Sequence, residues 1–150
     1  MIGPHRPHVV LDGDWALVRD LERRHRPGAL PPGEPIRVPG CWEAQLEQPF
    51  GIVRAWYRRT LRLPASWAGK GRVRLRFGGA GDLATVWLDG VPLGEHAGTW
   101  TAFDLDATGA ARPGHDQELV VRIVQPLNAL ERHPTFDAEE LGRGRRPDRP

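Results

Sequence analysis

Glycine and proline set the strongest limit on how this chain can fold. Eighteen Gly and fifteen Pro are spread through 150 residues, between short apolar runs rather than in one block. Helix interiors tolerate neither, because Pro lacks the N–H and clashes with the preceding turn while Gly costs backbone entropy. Turns use both. The punctuation therefore predicts an all-β domain built from about seven or eight short strands. Residues 72–77 show the pattern best: Val73, Leu75 and Phe77 share one parity, and Arg72, Arg74 and Arg76 share the other. Successive strand side chains point to opposite faces, so this strand buries three apolar groups and exposes three guanidiniums. Further strands are expected at 15–19, 36–38, 56–63, 84–88, 100–105 and 118–124, and after the Asp89-Gly90 pair a return strand begins at Val91. Asp-Gly between apolar runs predicts a type I′ hairpin, and Pro92 puts the return strand at a sheet edge. Regular spacing of such strands argues for a β-sandwich.

Charge and chemistry narrow the function classes. The formal net charge is +2, from 21 basic and 19 acidic residues. Eight basic residues and no acid lie between Arg54 and Arg76. Such a stripe can face a polyanion, but salt bridges from an exposed strand face are the commoner outcome, and no nucleic-acid partner is expected. The single Cys41 cannot form an intrachain disulfide and is expected to be buried and inert. Gly79-Ala80-Gly81-Asp82-Leu83-Ala84 fits GxGxxA, yet strand-like Thr85-Val86-Trp87-Leu88 follows where a dinucleotide site needs a helix, so a loop between antiparallel strands is expected. The histidines lack metal-site spacing, and Asp104 with Asp106 reads as one solvated strand face, so neither a metal nor a cofactor is expected. No apolar run is long enough to cross a membrane, and the first residues lack a signal-peptide pattern, so a cytoplasmic location is expected. Most of the six Trp are expected in the core, although an indole can also stack on a sugar.

Six segments, in order, carry a family resemblance. Leu11-Asp12-Gly13-Asp14-Trp15 resembles "L-x-G-x-W", and Val38-Pro39-Gly40-Cys41-Trp42 resembles "V-P-x-x-W". Ala55-Trp56-Tyr57-Arg58-Arg59 is similar to "W-Y-R-R", and Leu75-Arg76-Phe77-Gly78-Gly79 to "L-x-F-x-G". Val86-Trp87-Leu88-Asp89-Gly90 resembles "V-W-L-N-G", with Asp in place of Asn. Gly94-Glu95-His96-Ala97-Gly98-Thr99-Trp100-Thr101-Ala102-Phe103 is similar to "G-x-H-x-G-G-Y-x-P-F". Together they resemble the N-terminal sugar-binding domain of glycoside hydrolase family 2, the β-galactosidase, β-glucuronidase and β-mannosidase superfamily.

The resemblance implies a jelly-roll, galactose-binding-domain-like β-sandwich over 9–126. Past it, over 127–150, the residues themselves predict short helical turns, with Asp137 and Glu140 at capping-box spacing, and a disordered Arg-rich tail without a core-forming residue. The resemblance also implies that the sandwich is non-catalytic and packs on a TIM barrel that this sequence does not contain. Family members cleave a terminal β-glycoside with two Glu, one preceded by Asn; here Ala129 follows the only Asn, Asn128. No catalytic residue is therefore assigned, and no glycosidase activity is expected from this chain alone. The family's closing segment has no counterpart, which implies a sandwich incomplete at its C-terminal strand and self-association through an exposed sheet edge. By position in the family's loop, Trp42, Glu43 and Arg54 are the candidate substrate contacts. The alternatives are an independent carbohydrate-binding module, an inert remnant and, more remotely, a basic nucleic-acid binder.

Overall fold

The computed structural model describes residues 6–49 and 51–125. The helical turns and tail expected after residue 126 lie outside the described residues. Eight strands are described: β1 (Gly13–Arg19), β2 (Glu34–Val38), β3 (Arg54–Arg62), β4 (Arg74–Phe77), β5 (Leu83–Leu88), β6 (Val91–Ala97), β7 (Phe103–Asp106) and β8 (Asp116–Val124). Short 3-10 turns cover Trp42–Ala44 and Ala65–Trp67. Among the described residues no helix is long and apolar enough to cross a membrane.

The strands form two antiparallel sheets, one of six strands in the order β2-β1-β3-β8-β5-β6 and one of two, β4-β7. β8 lies between β3 and β5, and its second half is apolar on both faces apart from Arg122, because both faces are covered. Leu119, Val121 and Ile123 belong to the core between the sheets, while Val120 belongs to a second cluster on the opposite face. β3 alternates in the same way: Ala55, Tyr57 and Leu61 face the main core, and Trp56 packs with Val18 and Val120 behind it.

The expected hairpin is present. Asp89 and Gly90 both have positive φ, 47° and 76°, which is the type I′ conformation. Pro92 sits on β6, at the edge, where its missing N–H leaves no ladder bond unmade. A bulge between Val86 and Trp87 skips Leu93, since Val86 pairs with Gly94 and Trp87 with Pro92. The Asp89 side chain ties this hairpin to β8. Its carboxylate accepts from the Glu118 backbone N–H at 2.7 Å, from Gln117 Nε2 at 2.9 Å, and from the Arg112 guanidinium. Desolvation pushes the Asp89 pKa up, but these hydrogen bonds outweigh it and hold the carboxyl below its ordinary value.

The Arg-rich face of β4 meets acids as expected. Arg74 pairs with Asp106 and Arg76 with Asp104 across the ladder. The longer basic stripe, however, is not one surface. Arg59 lies over the Trp15 ring at 5.7 Å and donates to the Leu11 carbonyl at 2.5 Å, whereas Arg58 reaches the Leu30 carbonyl at 3.1 Å. The first four residues of the GxGxxA segment are loop and Leu83-Ala84 already begin β5, but β4 and β5 belong to different sheets, so the loop crosses between sheets instead of closing a hairpin. The strand expected from residue 100 starts only at Phe103.

Candidate functional site

Between the sheets, at the end where β8 finishes, lies a cavity of about 540 Å³. Such a volume suits a small ligand. Tyr57, Val121 and Ile123 rise into it from β3 and β8, Phe77 comes from β4, and Trp42 with Glu43 comes from the turn after Pro39-Gly40. Trp42 is 3% exposed and forms wall, while Glu43 is exposed. Among the described lining residues, Glu43 is the only one with a formally charged side chain. Burial, reinforced by the nearby Glu43 and Cys41, pushes the Tyr57 phenol well above its ordinary pKa. Its hydroxyl therefore keeps its proton across the physiological range. Cys41 is exposed, contrary to the sequence-based expectation, because it precedes the 3-10 turn whose first residue, Trp42, takes the buried position.

Arg54 does not join this group. It is the first residue of β3, and it shares the parity of Trp56, opposite to Tyr57. Its backbone carbonyl accepts from the Asp20 N–H at 3.0 Å. The loop leading to it is held by Arg19, which donates to the Glu47 and Gln48 carbonyls at 2.7 and 2.9 Å and forks onto Glu34. Thus Trp42 and Glu43 are brought together, and Arg54 lies on the other side of the strand.

Sequence reasoning missed Trp100. It lines the cavity mouth and is 94% exposed. The loop around it is anchored on both sides. Gly98 N–H donates to the Asp82 carbonyl at 2.9 Å, and Thr99 Oγ1 donates to Asp82 Oδ1 at 2.5 Å. His96 Nε2 lies 2.8 Å from Thr101 Oγ1, with its ring stacked on Phe103 at 4.2 Å. A Cβ at Gly79 would stand 2.8 Å from the Thr99 carbonyl, so the loop closes on a glycine floor. The available signal was an indole between Gly, Thr and Thr, with no apolar neighbour to bury it. A second cavity, of about 920 Å³, lies beneath the segment containing Val9, Val10 and Leu11. Among the described residues no group of His, Cys, Asp and Glu is placed to hold a metal.

The family described as glycosyl hydrolase 2 galactose-binding domain-like matches residues 42–145, more than half of the sequence. The chain belongs to this family. A β-glucuronidase of Paenibacillus borealis is 32% identical over 91% of this chain and 25% of its own length. A β-galactosidase of Arthrobacter is 39% identical over 46% of this chain and 7% of its own. Among solved structures, Faecalibacterium prausnitzii β-glucuronidase superposes with a TM-score of 0.71 at 35% identity, over 80% of this chain and 21% of that one. The chain thus spans a quarter or less of these family 2 proteins, and the part it matches is their non-catalytic N-terminal domain. In family 2 glycosidases this domain accompanies a catalytic one.

Proposed function

We propose that this chain is the sugar-binding-like sandwich of an exo-β-glycosidase, that it packs on a catalytic barrel, and that it acts in the cytoplasm. In this reading Trp42 and Glu43 shape one wall of the substrate entrance. Arg54, at the end of the loop fixed by Arg19, lies on the other face of β3 and is not part of that wall. The observation that carries the reading is the match to a quarter or less of family 2 glycosidases, together with a cavity that opens beside Trp42 and Glu43. An independent carbohydrate-binding module is the second reading, favoured by the anchored and exposed Trp100.

The test is complementation. A family 2 β-glucuronidase lacking the portion that this chain matches is mixed with the chain and assayed on aryl β-glucuronide, β-galactoside and β-mannoside. The expected result is no turnover by either part alone and turnover by the mixture. Turnover by this chain alone would overturn the non-catalytic assignment. A mixture that forms no complex and stays inactive would favour the independent module.

A further inference from the structure

We propose that the cavity walled by Trp42, Tyr57 and Phe77 and fronted by Trp100 binds a neutral pyranoside by itself, and that Glu43 makes it reject uronates. This assignment does not depend on a barrel, because every group it uses lies on this chain. It differs from what the names of several β-glucuronidase relatives would suggest for this chain.

The reasoning starts from Trp100. An indole that is 94% exposed gains nothing from burial in the core, yet its loop is fixed by contacts at Gly98, Thr99 and Thr101. A flat apolar surface carried on an anchored loop at a cavity mouth suits the apolar C–H face of a pyranose ring. The cavity behind it offers few polar groups. The Tyr57 hydroxyl stays protonated and can donate. The Glu43 carboxylate can only accept, and so matches the hydroxyl donors of a sugar. No Arg or Lys lines this space among the described residues. A ligand carboxylate would therefore stand near the like charge of Glu43 with no lining cation to offset it. Arg54, the residue whose fork would fit a uronate, sits at the opposite strand parity. The lining chemistry thus accepts a neutral ring and disfavours an acidic one.

The experiment is an NMR titration of the full chain, reading the indole N–H signals. The probes are methyl β-D-galactopyranoside, methyl β-D-glucopyranoside and methyl β-D-glucuronide. Millimolar binding of the neutral glycosides is expected, with the largest shift at Trp100 and with the glucuronide about tenfold weaker, or more. Trp100→Ala should abolish binding while leaving the melting temperature unchanged, and Trp100→Phe should keep part of it. Glu43→Gln should bring the glucuronide to within about threefold of the neutral sugars. Equal or tighter glucuronide binding by the unmodified chain would overturn the proposal. So would unaltered affinity in Trp100→Ala, or no binding by any of the three probes. Complementation with Trp100→Ala separates the two readings: assembly with a barrel should survive that change even if sugar binding by the chain is lost.

Discussion

Two aromatic regions of this molecule treat their indoles in opposite ways. On the outer face of the large sheet, Trp56 and Trp87 pack with ring centroids 5.4 Å apart, and the Arg122 guanidinium lies 5.8 and 5.7 Å from the two rings. Trp56 Nε1 donates to Asp20 Oδ2 at 2.8 Å, and Asp20 Oδ1 accepts from the Arg24 N–H at 2.9 Å. Asp20 and Trp56 are each 2% exposed. At the cavity mouth, by contrast, Trp100 is held only through its backbone neighbours and its ring stays in solvent. Where an indole has a packed neighbour and an acceptor for its N–H, it stabilises the fold. Where its loop is anchored but its ring is bare, it adds little to the stability of the fold.

Mutations should separate these roles. Trp56→Ala empties a packed site and leaves the Asp20 carboxylate short of a donor, so a loss of about 4 kcal/mol is expected in denaturant unfolding. A loss below about 1 kcal/mol would break the distinction drawn here. Asp89→Ala removes three hydrogen bonds to one carboxylate, and about 2 kcal/mol is expected from the same measurement at pH 7. That loss should depend on pH. Asp89 has a lower pKa folded than unfolded, so its contribution is complete above the unfolded value of about 3.9 and fades as pH falls through the folded value beneath it. The gap between variant and parent should therefore narrow at acid pH to the pH-independent cost of Ala at the positive φ of this turn, and a difference that stays constant would refute the linkage. Trp100→Ala should change stability by no more than about 0.5 kcal/mol, since nothing packs on the ring. Smallest of all, Arg54→Ala should leave neutral-sugar titrations at the cavity unaltered, because its strand parity faces away; weakened binding would sharpen the comparison by showing that the two faces communicate.

Much of the fold was legible because its signals are local. The β4 alternation, the Asp89-Gly90 turn and the edge position of Pro92 each depend on a few adjacent residues and their backbone geometry. Which strands belong to which of the two sheets was not legible, since nothing near Gly79 says that β4 and β5 part company there. The site was read in part. Trp42 and Glu43 follow Pro39-Gly40 and do reach the cavity. Arg54 was placed by its rank in a loop, but β3 already begins at that residue, and an odd offset from Tyr57 sends its side chain to the other face. Trp100 was read as strand because Trp, Thr and Phe favour strands. Gly98, at φ 129°, breaks the extended run before it, and only the Asp82 and Gly79 contacts reveal the loop.

The place of β8 in the large sheet has a consequence for how the chain is made. β3 and β5 never pair with each other; both pair with β8, and Arg54 meets Val124 seventy positions later. During synthesis on a ribosome, β1 to β3 and β5 to β6 can each form a small antiparallel unit, but neither can join the other until residues 116–124 have emerged. Such a wait for a distant segment slows folding and leaves apolar faces without cover in the meantime. The last described strand thus acts as the keystone, and a translation pause just before it would hold two half-sheets apart.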